Sequence, residues 1–312
     1  DFAKEVSGGQ QLIDQALANN HDLKAAQAAL SAAREGVLAQ RGAYYPRVTT
    51  GVAASREQDP PGALAPVPSN NAFLYNLYTP QVSVSYSPDV WGLNRRTAES
   101  LIAQEKAVRF QLFAAYVTLT SNVVVTAIQI ASIDDQIAAA RELLDADKKM
   151  LDILVDQQNR GYASGLDLAA QQSQLASAQA ALPPLSKQSA QLHDLLATLT
   201  GHFPSQGPQA DFTFATLTLP SDLPVSIPST LVEQRPDIRQ AEENLHWASA
   251  EIGVAVANRL PNIQITAGAG SEALKLGQLF DPGTAFWNIG AGLTAPIFQG
   301  GQLLHQERAA RA

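Results

Sequence analysis

Apolar and polar positions recur with two different periods along this chain, and the periods divide it. From Leu93 to Leu182 the period is helical, proline is absent, and the only glycines are Gly161 and Gly165. Glycine and proline are the strongest local punctuators of structure. The spacing therefore predicts one helix from Leu93 to Asn159, a turn at Gly161-Tyr162-Ala163-Ser164-Gly165, and a second helix from near Leu166 to Pro183-Pro184. At about 1.5 Å per residue the first arm is on the order of 100 Å long, far beyond the roughly 8 to 20 residues of typical helices. The pair reads as an antiparallel hairpin standing clear of a compact body. Its seam is visible: Ile130, Ile133, Ile137, Ala140, Leu144, Leu151 and Leu154 step by threes and fours, interrupted once by Asp147. Leu168, Leu175 and Leu182 repeat at sevens on the returning arm. Such a seam suits a two-stranded coiled coil or the wall of a larger helical assembly.

The second period is two. Val82, Val84 and Tyr86 alternate with Gln81, Ser83 and Ser85. Ile263, Ile265, Ala267 and Ala269 alternate with Gln264, Thr266, Gly268 and Gly270. Ile289, Ala291 and Leu293 alternate with Asn288, Gly290, Gly292 and Thr294. Each run is about ten residues, the length of a tilted membrane-spanning strand. The polar positions are small and uncharged, as a water-filled lumen allows. Tyr44, Tyr45, Phe73, Tyr75, Tyr78, Tyr86, Trp91, Phe286, Trp287 and Phe298 gather at the ends, like aromatic girdles. A soluble antiparallel sheet with one wet face gives the same alternation. If the strands span a membrane, four cannot close a barrel and open edges cannot sit in lipid, so several protomers must share one barrel.

The remaining elements follow in order. Residues 9–43 read as one amphipathic helix with Leu12, Ile13, Ala16, Leu23, Ala26 and Leu30 on one face, ended by Pro46. Strands are expected at Arg47–Ser55 and from about Leu74 to Tyr86, around a proline- and asparagine-rich loop from Arg56 to about Ala72. Pro184 to Gly201 reads as a further helical piece, and 202–229 as a proline-rich connector with a short strand at Phe212–Leu217.

The chain then repeats itself. His21-Asp22-Leu23 matches Pro236-Asp237-Ile238 at an offset of 215, where Leu30 also meets Leu245 and Pro46 meets Pro261. Tyr86-Ser87-Pro88 matches Thr294-Ala295-Pro296 at an offset of 208, so the second inter-strand loop is shorter. Loops tolerate such gaps. The unit is helix, strand, loop, strand, long hairpin. In the second copy Gly301 to Ala312 only begins the hairpin, and a complete copy needs roughly a hundred residues more. The repeat thus predicts a further C-terminal segment.

Composition narrows the function. The 312 residues are 46% hydrophobic and 16% charged with net charge −8, which leaves no basic footprint for nucleic acid. There is no cysteine, hence no disulfide and no thiolate site. His21, His193, His202, His246 and His305 are scattered, none at metal-ligand spacing, and no nucleophile or phosphate-loop signature occurs. No enzyme activity, cofactor or metal is expected. Phe110 to Ile133 carries no charge and is long enough to cross a bilayer, but Gln111, Thr118, Thr120, Ser121, Asn122, Thr126, Gln129 and Ser132 interrupt it. It reads as the protein-buried middle of the long helix.

Four motifs together resemble the TolC-like outer-membrane efflux channels, of the lipoprotein branch often labelled NodT or OprM-like. They are Arg235-Pro236-Asp237-Ile238, Pro88-Asp89-Val90-Trp91-Gly92, Pro296-Ile297-Phe298-Gln299-Gly300-Gly301, and the tip Arg160-Gly161-Tyr162-Ala163-Ser164-Gly165-Leu166-Asp167. Leu93 departs from the basic residue common there, and the branch's lipid-anchor cysteine is not in this chain. The resemblance implies a mainly α fold with membrane β: a homotrimer whose twelve strands share one outer-membrane barrel above a periplasmic α-barrel. Residues 1–46, 87–261 and 296–312 would be periplasmic and equatorial, with the long hairpin at 93–182, and 47–86 and 262–295 the membrane strand pairs. The first repeat spans 9–201 and the incomplete second 229–312. The implied function is a passive exit duct of a tripartite pump, exporting drugs or other small molecules and coupled to a periplasmic membrane-fusion adaptor and an inner-membrane transporter. The alternatives are a soluble periplasmic coiled-coil scaffold or adaptor, and an exit duct for type I protein secretion. Carried across, the tip residues Arg160, Gly161, Tyr162, Ala163, Ser164, Gly165, Leu166 and Asp167 dock the adaptor. Asp147, Asp152 and Asp156 are candidate lumen-lining gate carboxylates, each with a solvated outer face as the plain alternative.

Overall fold

The computed structural model describes residues 9–58, 74–207 and 229–312. The loop beyond Gln58, Phe73 and the strand expected at Phe212–Leu217 lie outside the described residues. The elements are α1 Gly9–Asn19, α2 His21–Arg41, β1 Arg47–Gln58, β2 Leu74–Tyr86, α3 Leu93–Asn159 and α4 Gly165–Leu199. They continue with α5 Ser229–Glu233, α6 Pro236–Ala257, β3 Asn262–Ser271, β4 Ala285–Thr294 and α7 Gln302–Arg311. Two compact units emerge, residues 1–30 with 109–239 and residues 31–108 with 240–312, and α3 runs through both.

The second unit carries the sheet, ordered β1-β2-β3-β4 and antiparallel throughout. Its register sorts side chains by face. Val48 opposes Val84, Val82 opposes Ala269, Ala267 opposes Ile289 and Ile263 opposes Leu293. Thr49 opposes Ser83, Ser85 opposes Thr266 and Gly268 opposes Asn288. One face is thus apolar and the other small and polar, because side chains alternate along a strand. The apolar face is bare: Val52 is 74% exposed, Ile289 71% and Trp287 78%. β1 and β4 each keep one unpaired edge among the described residues.

Proline-rich turns join sheet and helices. Trp91 Nε1 donates to the Pro261 carbonyl at 2.7 Å, and Ser87 Oγ donates to the Ile263 carbonyl at 2.9 Å, tying the two repeats' turns together. Asp89 accepts from the backbone N–H of Asn94 and Arg95, both at 3.0 Å, which caps α3. The first turns of α3 are held to α6 by Ser100 Oγ donating to Glu251 and by His246 on Glu99 at 3.0 Å. Arg259 pairs with Glu307, so α7 is tied to the end of α6.

The first unit holds the hairpin. Two readings of the sequence are corrected here. Residues 9–43 are not one helix: α1 stops at Asn19, and Asn20 restarts the chain. Its Oδ1 accepts from Leu23 N at 3.0 Å as an N-cap, while its Nδ2 donates to the Leu199 carbonyl at 3.1 Å. Nor does the returning arm stop at the prolines. α4 continues through Pro183 and Pro184 to Leu199. A helical proline removes one N–H bond to the carbonyl four residues back, here those of Gln179 and Ala180, which are exposed and open to water. The apolar middle of α3 is buried on one side only. Leu119, Val123 and Ile130 are buried, whereas Phe113, Val117 and Val125 are exposed, and 28% of its most apolar window is buried.

Both long helices end in the same way. Gly201 has φ +76°, its N–H reaches the Thr198 carbonyl at 3.1 Å, and His202 N reaches the Ala197 carbonyl at 2.8 Å. That is a Schellman cap. A Cβ on Gly201 would stand 2.6 Å from the Asn19 carbonyl oxygen. The left-handed conformation alone costs a side chain roughly 1–2 kcal/mol. Gly201→Ala should therefore destabilise the protein by at least about 2 kcal/mol in thermal melts, with the backbone clash adding to strain. Gly42→Ala, with open space around it, should stay within about 0.5 kcal/mol of the parent.

Candidate functional site: the hairpin tip and its seam

The seam forms where the heptads place it. Ile130, Ile133 and Ile137 are buried, and Ala140, Leu144, Asp147, Leu151 and Leu154 are half-buried along one line. Facing them on α4 are Leu168, Gln171, Leu175, Ala178 and Leu182. Asp147, expected as a gate carboxylate, stands in this seam opposite Gln171. Gln171 Nε2 donates to Asp147 Oδ1 at 3.3 Å and to the Asp147 carbonyl at 3.2 Å. Asp147 Oδ2 is shielded and has no hydrogen-bond partner among the described residues. A polar layer in an apolar seam costs stability and fixes register. Gln171 was not singled out in the sequence. Its signal was spacing alone, three residues after Leu168 and four before Leu175. Asp152 and Asp156 are exposed on α3. Asp156 Oδ2 pairs with Arg160 Nη2 at 2.9 Å, an exposed pair one helical turn apart that contributes little to stability.

The tip is built by one helix stop and one helix start. Gly161 N donates to the Gln158 carbonyl at 2.9 Å and Tyr162 N to the Gln157 carbonyl at 2.8 Å, a second Schellman cap. Gly161 has φ +79°, so the turn needs glycine although nothing crowds its missing Cβ. Gly165 is different. It sits inside the first turn of α4 without a positive φ, and a Cβ there would meet only Gln158 Nε2 at 3.6 Å. Ser164 then opens α4 with a complete capping box. Its Oγ accepts from Asp167 N at 3.2 Å, and Asp167 Oδ2 accepts from Ser164 N at 3.0 Å and Ser164 Oγ at 2.6 Å. The hydroxyl and backbone hydrogen bonds from Ser164 hold the Asp167 carboxyl below its usual pKa. Between the two caps Tyr162 and Leu166 project outward, 83% and 79% exposed. Ala163 is half-buried between them. The tip therefore offers a tyrosine and a leucine on a rigid turn, with charge confined to Arg160, Asp156 and Asp167.

Because the folded-state pKa of Asp167 is depressed, its contribution is present above the ordinary carboxyl range, about pH 4, and is lost as pH falls through the lower folded value. Amide exchange at Ser164, corrected for intrinsic pH dependence, should accelerate across that acidic window. Asp167→Asn should exchange fast at every pH. A corrected rate that is flat in the parent would remove Asp167 from the cap.

Comparison with known proteins places this geometry. The model of the family described as "Outer membrane efflux protein" matches residues 12–202 and 227–312. The pyoverdine export outer membrane protein OpmQ of Pseudomonas putida is 32% identical over 309 residues, covering 97% of this chain and 64% of its own length. The toluene efflux pump outer membrane protein TtgF of Pseudomonas putida is 30% identical, covering 94% and 60%. The chain thus spans under two thirds of the length of these relatives. Among solved structures, the outer membrane channel CmeC of Campylobacter jejuni superposes with a TM-score of 0.88 at 26% identity, covering 97% of this chain and 64% of that one. The helical hairpin and the four-stranded open sheet have the fold of TolC-like channel structures, and the chain belongs to the outer membrane efflux protein family.

Proposed function

We propose that this chain acts as the outer-membrane exit duct of a tripartite efflux pump, a passive homotrimeric channel with its helices in the periplasm. The observation that carries the reading is the sheet. A bare apolar face backed by a small polar face suits strands with lipid on one side and water on the other. Its two open edges need partners before lipid can surround them. Three copies supply twelve strands, with β4 of each meeting β1 of the next. The same symmetry sets three hairpins side by side, where neighbouring helices would cover Phe113, Val117 and Val125 of α3. Relatives are named for export of pyoverdine and efflux of toluene, both small molecules, which supports small-molecule cargo.

The tip is assigned to adaptor docking. Arg160, Gly161, Tyr162, Ala163, Ser164, Gly165, Leu166 and Asp167 form a projecting turn whose exposed Tyr162 and Leu166 suit the apolar seam of a partner's helical hairpin. An inner-membrane transporter completes the pump through that adaptor. Asp152 and Asp156 are assigned to the duct near the tip, and Asp147 to the register-setting layer behind them.

Export by cells that depend on this protein tests the reading. Gly161→Val forces a β-branched residue into the left-handed region and should abolish export of a small-molecule cargo while leaving the oligomer and its outer-membrane level unchanged. Gly165→Ala should retain most export, since its backbone does not demand glycine. Normal export by Gly161→Val would remove the docking assignment.

A further inference from the structure

The connection between β3 and β4, residues 272–284, folds back onto the sheet at the end away from the helices. Tyr78 and Ala273 exchange backbone hydrogen bonds of 2.9 and 3.1 Å, and Glu272 N donates to the Thr284 carbonyl at 2.8 Å. Ser271 Oγ and Thr284 Oγ1 both donate to the Leu279 carbonyl. Leu279 is thereby buried while the adjacent Phe280 is 92% exposed. Between this loop and the strands lies a groove of about 430 Å³, within the roughly 300–1,000 Å³ of small-ligand pockets. The sheet contributes Pro80, Val82, Ala269 and Ala285 to it beside the polar Thr50 and Gln81, and the loop contributes Leu279 and Phe280 beside Asp281 and Thr284.

The register decides which side of the sheet the groove is on. Val82 and Ala269 are direct partners, and both share a face with Val48, Ile289 and Trp287. The groove therefore opens on the apolar face, not on the face of Ser83, Thr266 and Asn288. A loop that only capped a lumen would have no reason to hold an apolar slot and a bare phenylalanine on the opposite side. Several hydrogen bonds to one carbonyl make the slot preformed, so a ligand would not have to order it. Asp281, on the loop side, is the one charged residue of the lining, so the apolar residues of the sheet side suit an unbranched hydrocarbon while a polar headgroup would sit towards Asp281.

We propose that this groove binds one acyl chain of a membrane lipid, with Phe280 closing over it from the outside. The site rests on the outer-membrane reading given above. It would fix lipid to the loop end of the sheet and extend the apolar face beyond the last strand residues.

The purified protein, exchanged from detergent into bilayers of a single lipid of known mass and then released into native mass spectrometry, tests the site. The parent should keep one lipid per chain at activation energies that strip the rest. Ala269→Phe, which fills the groove from the strand, should lose that lipid, and Phe280→Ala should release it more readily. Because the chain has no cysteine, a spin label on Ile289→Cys reports independently whether the sheet face meets lipid, through its accessibility to oxygen over a polar nickel reagent. Lipid-exposed Ile289→Cys with no retained lipid in the parent overturns the groove and leaves the membrane reading intact. Equal retention by parent and Ala269→Phe also overturns the groove. A label at Ile289→Cys that meets water overturns both.

Discussion

Backbone hydrogen bonding at two strand edges sets the terms for the whole molecule. Among the described residues β1 and β4 each leave a row of N–H and C=O groups unpaired, while the face between them is apolar and exposed. Water would satisfy the edges and reject the face; hydrocarbon would accept the face and reject the edges. Each unpaired backbone group in hydrocarbon costs several kcal/mol, so a single protomer suits neither solvent. In the proposed oligomer further copies would remove the conflict by pairing edge to edge, and the register within the chain already keeps apolar and polar residues on their own faces.

The helices meet a related demand by other means. Their backbone bonds are internal, so packing decides their surfaces. Along the α3–α4 seam apolar residues are buried or half-buried until Asp147 meets Gln171. That polar layer would be a poor choice for stability alone, since Asp147 Oδ2 finds no partner among the described residues. It is a reasonable choice for register, because only one alignment of two long arms brings that glutamine to that carboxylate. Correct alignment in turn fixes where the arms reverse, and the reversal presents Tyr162 and Leu166.

Much of this was legible in the sequence because the relevant physics is local. The ends of α3 were readable from the Pro88–Gly92 turn and from Gly161, whose left-handed conformation no β-branched residue would share. β2, β3 and β4 were readable from their alternation. Asn20 was missed although its cap on Leu23 N is local; only its second bond, from Nδ2 to the Leu199 carbonyl, spans a long sequence distance. Pro183-Pro184 misled because proline normally stops a helix, yet here the helix continues through both, with the residues four back, Gln179 and Ala180, exposed. In the candidate site, the glycines looked equivalent and are not: Gly161 has a positive φ and Gly165 does not. Asp147 was conspicuous as a polar break in an apolar stripe, but its facing partner required the register of the two arms. The groove beside Phe280 left no periodic trace, since it depends on how an irregular loop folds back on the strands.

The open sheet makes the number of copies the decisive quantity. The mass of the protein extracted from membranes in mild detergent, with bound detergent subtracted, measures it directly. A shared twelve-stranded barrel requires three protomer masses in one particle. A monomer that stays in solution without detergent would contradict the barrel and return the strands to a soluble sheet.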